Sequence, residues 1–415
     1  MSIATELQNY NDGLLDAYTA VNTKGGTVPE AKNLDNLDTA IASIPAGGGG
    51  GDEEKDIRFY DYDGTLIEAW TLAELQEKTE LPANPTHTGL TSLGWNWTLA
   101  QLKSENARMT VGQMYEPTDG GLHIFLTVYP EHLSLNLGLV INGTVSINWG
   151  DNSTVETATS TGARVNTPHT FPAAGNYEII VTAESENIFS LQGDSTGPYL
   201  ITEPTNAATS ASQLYRAGIY ELWVSHNCTV GSRGIYNLAA EKIIFNSTLI
   251  TSTARFVENC YNLKAFVLPS SSTTTGTHFM GGNMNCFCLS LPYGLTSIGT
   301  ESFNSSSFDF EINIPSSVTS IANGCFSVLS KFAHKIVIPS NVASIGNVFM
   351  VNNSNFHELE VNTSAIPATG LTSNPTYLTF INGIILTGSQ ASTWITALPN
   401  VYADNNARNL INGTI

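Results

Sequence analysis

Asp61-Tyr62-Asp63-Gly64-Thr65-Leu66 is the stretch whose residue types and spacing come nearest to covalent chemistry. Two carboxylates two residues apart can divide a phosphoryl transfer between them, one attacking phosphorus and the other moving the proton. The same residues also read as structure, because Asp-Gly between two alternating segments is a strong hairpin turn. Other chemistries lack their spacing. The eight His are scattered and none stands in an HExxH pair. The five cysteines (Cys228, Cys260, Cys286, Cys288, Cys325) do not form paired CxxC motifs and read as reduced, buried, small apolar side chains. No glycine-rich loop ends in Lys-Ser/Thr, and no Ser sits in GxSxG. The expectation is a chain that is not an enzyme, with no catalytic residue, no cofactor and no metal.

The elements around the Asp pair are short. Arg58 to Tyr62 and Thr65 to Trp70 flank the Asp63-Gly64 turn, Thr71-Leu72-Ala73-Glu74 reads as a capping box, and a second helix is expected from Thr98 to Ala107. Residues 57–120 are thus expected to form a small α+β domain. Before it, Ile3, Leu7, Tyr10, Leu14, Ala17 and Val21 step by four and three, the spacing of a helix–helix seam. Lys24-Gly25-Gly26 ends that helix, and Asn33 can cap a second with Leu34, Leu37, Ile41 and Ile44 on one face. Residues 1–46 are therefore expected as a helical hairpin too small to bury its own core, which must pair with copies of itself or with another protein. Residues 47–56 are a Gly-rich linker. From Leu122 to Ala183 the alternation is that of strands, and residues 121–205 are expected to form a β-sandwich.

The charge balance, 16 Lys plus Arg against 36 Asp plus Glu and a net of −20, argues against nucleic acid and anionic membrane as partners. With 41% hydrophobic residues the chain can still fill cores. No run of about 18 apolar residues is present, so no transmembrane helix is read. The first residues lack a basic stretch followed by an apolar run, so no secretory signal is read either.

Beyond Tyr220 the sequence repeats. Strand-like segments end at Asn246, Pro269, Pro292, Pro315, Pro339 and Asn362, whose numbers differ by 23, 23, 23, 24 and 23. An aromatic column, Phe256, Phe279, Phe303, Phe326 and Phe349, keeps the same period, as do Ile298, Ile321 and Ile345. A repeat of about 20–29 residues with one strand per unit is the signature of a leucine-rich-repeat solenoid. Residues 206–415 are expected to form it, with the segment after Thr363 as its cap. If Ile312 and Ile314 point inward, Asn313 points out. The row of outward positions is then Trp223, Ile244, Val267, Ser290, Asn313, Val337 and Glu360. Its apolar end is expected either to be plain strand-former propensity or to be covered by the sandwich or a partner chain. Its polar end, with loops near Tyr293, Asn304 and Asn352, is the better candidate for hydrogen bonding to glycan.

Several resemblances sharpen these expectations. Ile312-Asn313-Ile314-Pro315-Ser316-Ser317-Val318-Thr319-Ser320-Ile321 followed by Cys325-Phe326 resembles BspA-like leucine-rich repeats, as does Ile336 to Pro339 with Val342 to Gly346. The likeness covers about Tyr220 to Asn362 and implies surface adhesion or recognition. Trp149-Gly150-Asp151-Asn152 with His169-Thr170-Phe171 and Gly175-Asn176-Tyr177 resembles a PKD-type sandwich, which implies a spacer or contact module. Lys24 to Pro29 followed by Leu34 and Leu37 looks like the attachment segment of phage tail-fibre and head-fibre proteins. Asp61 to Leu66 resembles the nucleophile motif of haloacid-dehalogenase-like phosphatases, but the long α/β domain and the later acidic pair of that family are missing.

The implied molecule is multidomain and mainly β. The resemblances imply a non-enzymatic bacteriophage virion surface protein, either a tail or baseplate fibre or a head fibre or capsid decoration. The N-terminal seam (Ile3, Leu7, Tyr10, Leu14, Val21) would hold it to other virion proteins and to its own copies, as a homo-oligomer and a trimer in the first instance. Its repeats would face a bacterial surface glycan or protein. A bacterial cell-surface adhesin is the alternative, and a phosphatase using Asp61 and Asp63 the remote one.

Overall fold

Short alternating segments build the first sheet. β1 (Ile57–Tyr60) and β2 (Leu66–Trp70) form an antiparallel hairpin. The turn is wider than a two-residue one: Gly64 N–H donates to the Asp61 carbonyl at 3.0 Å, and Asp61 N–H to the Thr65 carbonyl at 2.9 Å. Gly64 takes φ +89°, which a residue without Cβ adopts freely. Helix α1 (Leu72–Glu77) begins at Thr71 with a reciprocal capping box to Glu74, as its sequence predicts. After β3 (Leu90–Trp95), helix α2 (Leu99–Glu105) begins at Thr98 with a second box to Gln101 and stops at Asn106, in left-handed conformation. β4 (Met109–Pro117) completes a sheet of order β2-β1-β4-β3, with β1 and β4 parallel. Phe59, Trp70, Trp95, Trp97, Leu75 and Leu102 fill its core.

The structure, a computed structural model, describes residues 55–183, 185, 189–191, 200–202, 218–231, 233–236, 238–246, 255–282, 286–304, 311–326, 334–346, 358–366 and 385–397, together with Asn36. The expected helical hairpin, its seam, most of the linker, Phe349 and Asn352 lie outside the described residues.

Strands β5 (Leu122–Val128), β6 (Ser134–Asn148), β7 (Glu156–Thr170), β8 (Gly175–Ala183), β9 (Phe189–Leu191) and β10 (Ile201–Thr202) fill the region expected as a sandwich. The 15-residue β6 is the hub of one nine-stranded sheet. Its first half pairs with β9 and β10, its last residues pair with β8, and β7 follows it along almost its whole length.

A boundary near residue 205 between sandwich and solenoid is expected, but strands from both sides of it belong to one sheet. β11 (Ile219–Val224) lies antiparallel to β5 and parallel to β13 (Lys242–Phe245), while β12 (Cys228–Val230) pairs with β9. These strands thereby share a sheet with the first rungs, and one hydrophobic core runs from Leu122 to Trp394.

The later rungs repeat as the sequence predicts. β14 (Ala265–Val267) and β15 (Cys288–Ser290) pair with Ala265 against Cys288, one repeat length apart. On a second edge β16 (Ser297–Ile298) and β17 (Ser320–Ile321) pair Ser297 with Ser320. β18 (Ile336–Ile338) is followed by β19 (Ser344–Ile345), which continues the edge of β17, and by β20 (Glu358–Val361), which pairs with β18 at Ile336 and Leu359. Phe256, Phe279, Phe303 and Phe326 are fully buried and point into the coil. Phe256 stacks on Phe279 at 5.9 Å and Phe303 on Phe326 at 5.5 Å, while Phe279 meets Phe303 edge-on at 6.3 Å. β21 (Ile385–Thr387) adds to β20, and helix α3 (Ala391–Ala397) drives Trp394 into the end of the core, where its indole N–H donates to the Thr363 carbonyl at 3.0 Å.

Candidate binding cleft

The outward row predicted from the repeat period exists, and the α+β unit sits on most of it. Trp223, Ile244, Val267 and Ser290 are at most 8% exposed. The α+β unit does most of this covering, and Phe125 and His123 of β5 add to it at Trp223, with ring centroids 4.7 and 5.0 Å away. Trp223 and Ile244 pack with Tyr62, Leu90 and Tyr115, and Val267 lies on β4. Trp223, Ile244 and Val267 are therefore internal contacts of the folded chain, not a free contact surface.

Three residues of the α+β unit set the fit. Gly112 has no Cβ because there is no room: one built there would lie 2.4 Å from a Val267 methyl and 3.0 Å from the Ser290 Cβ. Asn96, 1% exposed, donates to the Leu268 carbonyl at 3.0 Å and the Ser290 hydroxyl at 2.9 Å, and accepts from Gly112 N–H at 2.9 Å. Trp97 donates its indole N–H to the Leu291 carbonyl at 2.8 Å. Carboxylates tie the edges. Glu221 accepts from Tyr62 at 3.0 Å and Trp223 at 2.7 Å, Glu116 pairs with His226 at 2.7 Å, and Glu105 accepts from the Ser316 backbone at 2.8 Å. Burial first, then the Glu221 charge, pushes the Tyr62 phenol well above its ordinary range.

The remaining row positions, Asn313, Val337 and Glu360, are half-buried and line an open cleft of 890 Å³. The α+β unit supplies one wall through Asp56, Leu72, Glu105, Arg108 and Met109. The last rungs supply the other through Glu311, Lys335, Pro339, Ser340 and Asn362. Glu311 receives Arg108 at 2.7 Å and Arg58 at 3.0 Å, which joins the two walls. On the floor Glu360 accepts from Lys335 at 2.6 Å and from Asn362 at 2.9 Å. Burial alone would raise the Glu360 carboxyl, but these two donors outweigh it and hold its pKa below the ordinary range. The Glu360 hydrogen bond raises that of Lys335. Both groups stay charged at neutral pH. Asn313 donates to the Thr110 hydroxyl at 3.3 Å.

Arg58, Arg108, Lys335 and Asn362 escape a reading by strand alternation, because they lie off the outward row. A signal was available: acid and base recur one rung apart, as Lys264 with Glu241 and Lys335 with Glu358, each pair separated by one repeat length.

The other sequence candidates fall elsewhere. Tyr293 packs on Trp97, and Asn304 lines a smaller hollow of 370 Å³ on the flank with Arg255, Glu258, His278 and Glu301. Asp61 is buried at the hairpin turn, accepting from Tyr62 N–H at 2.8 Å and lying 2.7 Å from His87. Asp63 accepts from Thr65 N–H at 2.9 Å. These bonds are those of a hairpin turn wedged in the seam between the α+β unit and the coil. In the sandwich His169 lies flat on Trp149 at 4.3 Å and meets Asp151 at 2.8 Å. The five cysteines are buried and form no disulfide, and burial pushes Cys228 and Cys286 up to about 12. Among the described residues no group of three or more His, Cys, Asp or Glu is placed to hold a metal ion, and no helix is long and apolar enough to cross a membrane.

Comparison with known proteins agrees with the geometry of the rungs. Residues 225–308 and 279–372 match the BspA type leucine rich repeat region, in six copies. A crystal structure of a leucine-rich repeat protein from Bacteroides ovatus ATCC 8483 is similar at 16% identity over 60% of this chain and 68% of that chain, with a TM-score of 0.29. No curated protein matches. The chain is mainly β, and its residues 225–372 match repeats of the BspA leucine-rich type.

Proposed function

We propose that this chain is a non-enzymatic surface and adhesion protein of a bacteriophage particle, held by its N-terminal segment and turning its repeats toward a bacterial surface polymer. The placement is a tail or baseplate fibre, or a head fibre or capsid decoration. The observation that carries the reading is the cleft. The rungs form a display face, the α+β unit covers its first part, and an open polar groove remains on the rungs farthest along the coil from the sandwich. That is an arrangement for holding a chain-like ligand. The likeness of the first residues to phage attachment segments supports the anchoring half. Self-association through Ile3, Leu7, Tyr10, Leu14 and Val21 would multiply the cleft on each fibre, raising avidity without a tight single contact.

Gold-labelled antibody against the chain should decorate intact particles at one structure, and the purified protein should coat host cells and block adsorption. Labelling of a bacterial envelope with none on particles would favour the second reading, a cell-surface adhesin, to which the BspA-type match points equally. Hydrolysis of p-nitrophenyl phosphate that vanishes in Asp61→Asn would replace both with the phosphatase.

A further inference from the structure

We propose that the cleft takes an uncharged, hydroxyl-rich chain, a neutral glycan segment laid along Asn313, Val337 and Glu360. This rests on the adhesion reading for the source of the glycan, but not for its chemistry. Charge excludes one class of ligand. Asp56, Glu105, Glu311 and Glu360 set four carboxylates against Arg108 and Lys335, with Arg58 also paired to Glu311, so the cleft stays net negative and phosphate-, sulfate- or uronate-bearing chains meet repulsion. Cationic peptides are disfavoured for a different reason. Glu311 is already bound to Arg58 and Arg108, Glu360 to Lys335, and Glu105 to Ser316, so a ligand cation would have to displace a resident donor.

Hydroxyls need no displacement. Each Glu360 oxygen accepts one hydrogen bond and keeps capacity for another. Among the described residues the Asn313 amide oxygen and the Ser340 hydroxyl have no partner, and both residues line the cleft. Held acceptors, an open amide and an open hydroxyl suit groups that both donate and accept. Val337, Pro339 and Leu72 offer apolar surface for the C–H faces of sugar rings. Val337 and Glu360 are register partners on adjacent strands, about 4.8 Å apart, so the contacts follow a line across the rungs.

Full-length protein is immobilised and titrated with dextran, mannan and galactan, and in parallel with polygalacturonate, heparin and oligolysine. At least one neutral chain should bind better than every charged one. Val337→Trp, which fills the groove, should weaken that binding by about tenfold or more, and the isosteric Glu360→Gln by roughly fivefold. Unchanged melting temperatures would show that both variants fold. The inference fails if no neutral chain exceeds the anionic set, if oligolysine binds best, or if Val337→Trp binds normally. Host-cell coating that survives both variants removes the cleft and keeps the adhesion reading. An unaltered chain that does not coat cells sinks the adhesion reading, and the solution titration still judges the cleft.

Discussion

Replacing Asn96 by Ala should loosen the α+β unit and the rungs together, because one side chain holds both. The truncation strips two buried groups of their partners, the Gly112 N–H and the Leu268 carbonyl, whereas Ser290 keeps its bond to the Thr110 carbonyl at 2.7 Å. An orphaned buried group costs about 1–3 kcal/mol, so two cost roughly 2–6 kcal/mol, and water entering the space left by the amide brings the loss to about 3 kcal/mol. That corresponds to a drop of roughly a hundredfold in amide protection where opening is by this route. Hydrogen exchange read by mass spectrometry should show the loss in peptides covering β4 and, to the same degree, in those covering β14 and β15. Gly112→Val approaches the same seam by overpacking, which costs about 1–3 kcal/mol, and should lower protection in the same peptides. A drop confined to the α+β unit, or a change below threefold in Asn96→Ala, would refute the idea that this contact couples the two units.

Burial works against the Asp151 charge, but hydrogen bonds from Ser153 and His169 hold its pKa down at about 2. A depressed carboxyl contributes stability above its ordinary pKa of about 4 and loses it as pH falls toward 2, so thermal melts from pH 5 to 2 should fall more steeply in the unaltered chain than in Asp151→Asn, by on the order of 1 kcal/mol after screening. Parallel slopes would remove that role. Phe279→Ala opens a hole between fully buried rings and should cost about 3–5 kcal/mol. Its exchange signature should spread to the neighbouring rungs around Phe256 and Phe303 before reaching β7, and uniform loss along the chain would contradict nearest-neighbour stacking. A truncation starting at residue 206 should aggregate or fail to melt cooperatively, since it bares Trp223, Ile244 and Val267 and unpairs one edge of β11; a monomeric, cooperatively melting fragment would overturn that expectation.

How far the sequence was legible follows from the range of each interaction. The register of the rungs was written in the period, since Ile336 pairs with Leu359 and Ser297 with Ser320 at the spacing of the Pro and Phe columns. Thr71 and Thr98 were legible because a capping box is complete within four residues. Alternation also said correctly which side chains face out at Asn313, but it carries no information on what lies over that face. Asn96 meets Leu268 across 172 residues of sequence, and Gly112 looks like any strand glycine until the Val267 methyls are placed against it. A further column went unseen. Arg233, Arg255, His278, Glu301 and Gly324 all have positive φ and recur at the repeat length, the first step being shorter by one. Only the last is Gly, so the composition hid a conformation that the backbone ladder enforces, with Arg255 N–H on Thr277, His278 on Thr300 and Glu301 on Asn323.

In the proposed adhesion role, the covering of the display face decides where recognition can occur. An open sheet of parallel rungs would offer seven outward positions, of which the first three are the most apolar and thus the best placed for a nonspecific hydrophobic partner. Burying those under the α+β unit removes them from competition and creates, at the unit's edge, walls that a bare coil lacks. Arg58 and Arg108 reach from that unit to Glu311 on the coil, so the cleft is made by the docking and not by either part alone. Single residues of the seam, Asn96 and Gly112 foremost, therefore bear on binding without touching a ligand. Loosening them should widen the groove and weaken whatever it holds, while Glu360 and Val337 stay where the rungs put them.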